Sequence, residues 1–259
     1  MKNKIVINFF LSFIILTFVS CANDTDDSFK LLQKVIETTA RGNTQTYVYV
    51  YNGSQIVSID GTQERTDFTY TDGLISKMVK LNKTNQLLET IEYSYFKGKL
   101  VSVSSVGKYK IKYTHNADKT VSFEKLMLLS GNVEVKEYHG TILLSNGNLI
   151  KEERIYDNSP AGEESKYSIS FDYDSKKNPL FNIAGFKELL NQNDKISINN
   201  NVISTVITST SINGQITSSA TTYKNAFTYD LENYPKERVS ESTPLSSGFV
   251  GYLKVEYFY

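Results

Sequence analysis

The sequence has few of the residues that build catalytic and metal centres. Its 259 residues include one cysteine, two histidines and no tryptophan. A single cysteine excludes an intramolecular disulfide framework, and His115 and His139 lack metal-ligand spacing, so we predict both in solvent-exposed loops. The chain also has no Gly-x-Ser-x-Gly elbow and no glycine-rich phosphate loop. We therefore expect no catalytic residue, no metal site and no cofactor.

The chain also lacks an excess of charge of either sign. It carries 28 basic and 28 acidic residues, and without Lys2 and Lys4, the only charges among the first 20 residues, the net charge is slightly negative. This balance gives no electrostatic reason for a nucleic-acid partner. The 18 tyrosines and 14 phenylalanines, with only 4 prolines, favour β-strands.

Only one long hydrophobic run is present, and it lies at the N-terminus. Lys2 and Lys4 precede the apolar run 5–19, which is shorter than the ~20 residues of a membrane-spanning helix. We predict a signal peptide over residues 1–20. The run ends in Phe18-Val19-Ser20-Cys21, which resembles the lipobox of bacterial lipoproteins. That resemblance implies that Cys21 receives a diacylglycerol and becomes the first mature residue. The alternative is an ordinary secreted protein in which Cys21 is incidental.

An acidic segment follows the cysteine. Residues 21–29 include Asp24, Asp26 and Asp27 and hold too few apolar residues to fold, so they are predicted to be a lipidated tether. The cluster resembles the surface-export signals of Bacteroidetes lipoproteins, although a solvated linker explains it equally well. The resemblance implies an outer-membrane lipoprotein that faces either the periplasm or the cell surface.

A β-hairpin unit recurs along the rest of the chain. In Ile91–Val101, alternating residues end in a tyrosine, Lys97-Gly98 permits a tight turn, and a second apolar run follows. Related units surround Gly53, Gly73, Gly147 and Gly214. They resemble the YD-type hairpin repeats of Rhs-like shells, and more closely Bacteroidetes lipoproteins built from one β-meander. There tyrosine-rich hairpins lead to a "YD…NP" segment, here Tyr173-Asp174 to Asn178-Pro179, then a short apolar insertion and an "NN" strand.

The alternation of side chains predicts how the sheet is covered. Tyr109, Ile111 and Tyr113 alternate with lysines, which indicates an antiparallel sheet with one packed and one wet face. Curling into a half-barrel or barrel covers the packed face. We therefore predict an all-β antiparallel meander over residues 30–259, a single domain. One short helix near 181–190 is expected inside the curl, because 183, 186, 189 and 190 share a helical face.

Two polar features admit alternative interpretations. Asp172 and Asp174 flank Tyr173 and are candidate calcium ligands, but aspartate is also common at turns. Glu152 and Glu153 are predicted to be solvated strand ends. The tyrosines are either a sugar-stacking platform or a buried sheet face, and their regular alternation favours the buried face.

Two functional hypotheses follow. The first is a non-catalytic cell-envelope lipoprotein, monomeric, anchored to the membrane through Cys21, that binds a protein or small ligand or acts as a scaffold. The second is a glycan-binding accessory or hydrolase of a surface uptake system. The second requires carboxylates or histidines grouped beside exposed aromatic residues.

Overall fold

A single antiparallel sheet of 16 strands closes on itself as a barrel in the computed structural model, which describes residues 29–131, 133–242 and 251–259. Every strand pairs with its neighbours in sequence, and β1 pairs with β16 to complete the ring. The strands are β1 (Lys34–Thr39), β2 (Thr44–Asn52), β3 (Gln55–Asp60), β4 (Glu64–Thr71), β5 (Leu74–Asn82), β6 (Leu87–Phe96), β7 (Lys99–Ser105), β8 (Tyr109–His115), β9 (Thr120–Leu129), β10 (Val133–Ser145), β11 (Asn148–Tyr156), β12 (Glu163–Lys177), β13 (Asn199–Ile212), β14 (Gln215–Tyr229), β15 (Pro235–Ser242) and β16 (Gly251–Phe258). The predicted all-β curled meander is confirmed, and its closure is complete.

Tight two-residue turns join several hairpins, as the sequence predicts. In Asp72-Gly73, Lys97-Gly98, Asn146-Gly147 and Asn213-Gly214, both residues have a positive φ. Two successive positive φ angles characterise the turn whose twist matches that of the flanking strands, and they explain why glycine holds the second position. The first three of these turns lie at the same end of the barrel. We call this end the turn rim; β1 begins there and β16 ends there.

A β-bulge follows the turn in the same place in five hairpins. Register shifts separate Val50 from Tyr51, Thr69 from Tyr70, Ser94 from Tyr95, Leu143 from Leu144, and Thr228 from Tyr229. Because each bulge adds one residue to the second strand, it reverses which residues of that strand face inward.

The segment between β12 and β13 folds into the barrel as a plug. Leu180, Ile183, Phe186 and Leu189 succeed one another at three-residue intervals through backbone hydrogen bonds of 3.1–3.2 Å. These are consecutive turns, and the one short helix follows them as a 3₁₀ helix, Leu190–Ile196. The helix therefore starts where the predicted one, near 181–190, was expected to end. Gly185, with φ of 71°, interrupts a continuous helix.

The core is formed by the plug and the inner wall. Ile183, Phe186 and Leu189 are buried against inward-facing residues of many strands, including Phe171. Phe171 is buried, and Tyr95 packs on the same core while remaining partly exposed. Among the described residues, no helix is long and apolar enough to cross a membrane.

Inward tyrosines fasten several hairpins to the previous one. The Tyr95 hydroxyl donates to the Ile75 carbonyl at 2.8 Å, and the Tyr173 hydroxyl donates to the Leu149 carbonyl at 2.6 Å. The Tyr70 hydroxyl accepts from the Ile56 amide and donates to Ala184 of the plug, both at 3.0 Å. The recurrent tyrosine thus binds backbone groups that lie beyond the end of the ladder between successive hairpins. Burial raises the pKa of the Tyr70 hydroxyl to about 12.

Candidate functional site

The outer wall carries a groove of about 920 Å³ that crosses strands β8 to β13. Directly opposed residues of these strands form its two rows. The first row is Thr114, Ser122, Thr141, Glu153, Ser168 and Ile207; the second is Lys112, Glu124, His139, Ile155, Lys166 and Ser209. We call this surface the outer groove, with a hydroxyl row and a charged row.

Ion pairs hold the charged side chains in place. Glu124 lies 3.1 Å from the Lys136 ammonium and 3.4 Å from that of Lys112. The hydrogen bond from Lys136, and after it that from Lys112, keeps the pKa of the Glu124 carboxyl below its ordinary value. At the other side of the groove Lys166 pairs with Glu164 at 2.6 Å. The groove therefore presents a mixed but ordered set of cations and anions.

His139 and Gly140 mark the middle of the groove. His139 Nδ1 lies 2.9 Å from Asp157 Oδ2, and the His139 side chain is half-exposed. At Gly140 a Cβ atom would lie 1.9 Å from the Glu153 carbonyl oxygen and 2.8 Å from Phe123 Cζ. Only glycine allows this approach of β10 to β11, so the floor of the groove depends on it.

A charged pair lies on the inner side of the same wall. Glu152 is 4% exposed and forms an ion pair with Arg154. The Arg154 guanidinium stacks over the Tyr138 and Tyr167 rings, with its Cζ 5.1 and 4.8 Å from their centroids. Burial alone would lower the pKa of Arg154, but the Glu152 carboxylate raises it above its usual value. A small hollow of about 80 Å³ adjoins this pair.

The prediction that Glu152 is solvated is wrong, and the bulge explains the error. Ile142 pairs with Glu152, although Leu144 pairs with Leu149. Simple alternation from the inward Leu149 would place Glu152 outside. The extra residue in β11 reverses the faces, which turns Glu152 and Arg154 into the barrel.

The histidines lie in strands and not in loops. His115 ends β8, and its Nε2 lies 2.8 Å from the Leu100 carbonyl oxygen. His115 thus takes the place that a tyrosine has in other hairpins. This half-buried histidine is structural, contrary to the predicted exposed loop. His139 belongs to β10. His115 is thus held by a backbone carbonyl, whereas His139 lies in the outer groove beside Asp157.

Asp172 and Asp174 are not brought together as a metal site. Asp172 is exposed, whereas Asp174 accepts from the Asn200 amide at 3.2 Å and from the Tyr229 hydroxyl. Asp174 thus holds β12 to β13 and β14. Within the described ranges, no group of three or more histidine, cysteine, aspartate or glutamate side chains is arranged to hold a metal ion. Cys21 lies outside the described residues, as do most of the predicted tether and all of the signal peptide.

The comparisons with known proteins find similarity of fold. A solved structure, a porin-like protein from Bacteroides uniformis ATCC 8492, matches with a TM-score of 0.51 over 89% of this chain and 98% of that chain. The two sequences are 12% identical, so the similarity shows the fold alone. The barrel of this chain is therefore similar in fold to that porin-like protein. No family model matches the sequence, and no curated protein is significantly similar to it.

Proposed function

We propose that the protein is a non-catalytic envelope lipoprotein whose barrel displays the outer groove as a binding site. The lipobox-like Cys21 segment supports membrane attachment, and the porin-like fold supports an outer-membrane setting. The observation that carries the binding function is the pair of ordered rows across six strands.

The composition of the two faces favours a barrel beside the membrane and not within it. Membrane-spanning barrels face lipid with apolar residues and line the lumen with polar ones. Here lysines such as Lys110, Lys112 and Lys254 alternate outward, while Tyr113, Phe123 and Val255 are buried inside. A charged outer wall and an apolar, plugged interior suit a binding module better than a channel.

The dimensions of the groove favour an extended polar ligand. Six neighbouring strands at about 4.8 Å spacing make a surface roughly 24 Å long. Hydroxyls line one edge of the groove, and the groove is also lined by Lys112, Lys136 and Lys166 beside Glu124 and Glu153. Polyhydroxylated chains with acidic groups match this chemistry. The second candidate function, a glycan-binding accessory of an uptake system, is favoured by the same hydroxyl row.

Titration calorimetry with hexagalacturonate and uncharged cellohexaose tests the groove. We expect the acidic oligosaccharide to bind the native chain, and Lys166→Glu to weaken it about tenfold or more because an ion pair becomes a repulsion. Lys110→Glu changes an outward lysine that does not line the groove, and it should bind as the native chain does. Binding of neither sugar would reject the glycan role, and equal loss in both variants would reject the groove.

Anchoring is tested at Cys21. We expect mass spectrometry of the membrane-extracted protein to find a lipid adduct on Cys21, and Cys21→Ser to lose both the adduct and signal-peptide cleavage. More than one acyl chain is needed for stable attachment. An unmodified N-terminus at Ala22 or later in fresh membranes would contradict the anchor.

A further inference from the structure

The turn rim exposes large apolar side chains. Leu231 is fully exposed, and Phe29, Phe96 and Phe181 are 62%, 65% and 41% exposed. Single exposed apolar residues are ordinary, but several at one end of a molecule indicate a surface that contacts something apolar.

Three of these residues belong to one patch. Phe29 and Phe181 line the same hollow of about 260 Å³, together with Lys176 and Tyr234. The β14–β15 turn that carries Leu231 is tied to this hollow, because Lys30 Nζ lies 2.8 Å from Asp230 Oδ2. We call Phe29, Phe181 and Leu231 the rim patch.

The plug fixes the rim patch rigidly. Asn182 Nδ2 donates to the Lys30 carbonyl at 2.8 Å and to the Tyr234 hydroxyl at 2.7 Å. One side chain thus connects the segments that carry all three apolar residues. Phe96 lies on the β6–β7 turn of the same rim, with the Lys97 ammonium 5.4 Å from its ring centroid. Apolar residues flanked by lysines suit a lipid interface, where the charged heads remain among the headgroups.

The position of the tether decides between the two ends of the barrel. The opposite rim also exposes apolar residues, among them Leu87, Val106 and Leu129. However, only residues 22–28 separate Cys21 from Phe29, so the two residues can lie at most about 29 Å apart. A lipid on Cys21 therefore keeps the turn rim close to the bilayer and leaves the opposite rim farther from it.

We propose that the turn rim docks on the bilayer that holds the Cys21 lipid, with the rim patch and Phe96 inserted at the headgroup boundary. This inference rests on the proposed lipid anchor. Docking makes a second attachment beside the acyl chains and fixes the orientation of the barrel, so that its strands rise from the membrane and the outer groove faces sideways.

The absence of tryptophan makes the proposal directly measurable. Phe181→Trp and Leu231→Trp each introduce the sole tryptophan of the sequence in the rim patch, and Leu129→Trp introduces it at the opposite rim; its emission is excited selectively over that of the 18 tyrosines. Each full-length lipidated variant is reconstituted into vesicles of phosphatidylethanolamine and phosphatidylglycerol with brominated acyl chains. We expect quenching several-fold greater at positions 181 and 231 than at 129, with a matching blue shift of emission.

The possible outcomes separate docking from anchoring. Equal, weak quenching at all three positions in protein that floats with the vesicles would overturn docking while the anchor stands, and would point to a protein as the occupant of the patch. Stronger quenching at position 129 would assign the membrane contact to the opposite rim and overturn the proposal. Protein that does not float would overturn the anchor and, with it, the docking. Because Phe181→Trp and Leu231→Trp report on the same patch, the test remains valid if one of them fails to fold.

Discussion

At the scale of single residues, the inward tyrosines combine two functions. Their rings fill the core, and their hydroxyls satisfy backbone groups that lie beyond the end of the ladder between successive hairpins. Tyr95 shows both, because its ring packs on the core while its hydroxyl donates to the fully buried Ile75. A buried carbonyl that loses its donor costs more than the average hydrogen bond contributes.

Tyr95→Phe isolates the hydroxyl. We expect a loss of about 1–3 kcal/mol in the free energy of unfolding, because the Ile75 carbonyl keeps its burial and loses its partner. Urea denaturation measures the difference. Tyr223→Phe, at a residue that is 41% exposed, is the matched control and should cost under about 0.5 kcal/mol. Equal effects of the two variants would contradict the fastening role.

At the scale of elements, the plug depends on one glycine. Gly185 has φ of 71°, and a Cβ there would lie 3.0 Å from the Ile75 amide nitrogen. Gly53 has φ of 60° with no atom within 4 Å of its Cβ position, so it shares the conformation without the contact. Comparing substitutions at Gly53 and Gly185 therefore separates the cost of the positive φ from the cost of the close contact.

Alanine at these two glycines should therefore have different effects. Gly53→Ala should cost about 1–2 kcal/mol of stability from the left-handed conformation. Gly185→Ala should cost that amount plus about 1–3 kcal/mol, because the plug must move away from β5. Urea midpoints give the comparison, and susceptibility of residues 178–198 to protease should rise only in Gly185→Ala. Equal costs would show that the plug does not press on the β4–β5 turn.

The elements also show what sequence alone reveals. The turns at Asp72-Gly73 and Lys97-Gly98 can be predicted from the sequence, because the positive φ angles that they need depend on local residue type. The apolar spacing of the plug identifies the buried residues correctly, but three-residue intervals fit consecutive turns as well as a helix. Alternation along the sequence places Glu152 on the wrong face, because the bulge that reverses the faces depends on the pairing of two strands. The outer groove needs the register of six strands and the close approach at Gly140, which no local pattern contains.

At the scale of the whole molecule, the buried tyrosines couple stability to alkaline pH. Burial raises the pKa of Tyr70, Tyr93 and Tyr138 to about 12, from about 10 in an unfolded chain. The folded state therefore holds these protons more tightly than the unfolded state. Their contribution to stability is complete below about pH 10 and is lost as pH rises toward 12.

We therefore expect the urea midpoint to fall steadily above about pH 10, with cooperative unfolding that releases tyrosinate absorbance in one step. Circular dichroism and absorbance recorded together during a pH titration measure both. Gradual ionisation of most tyrosines near pH 10, with the β-sheet spectrum intact, would show that these hydroxyls are accessible to solvent.

Closure of the ring through β1 and β16 has a kinetic consequence. Each hairpin joins neighbours in sequence and can form within microseconds, whereas the last seam pairs Lys34 with Phe258. Loop closure over such a separation is slow. Until the seam forms, both terminal strands are open edges that invite pairing with other chains. Aggregation during refolding should therefore be set by the lifetime of the unclosed sheet, and a chaperone that shields either edge strand would raise the yield.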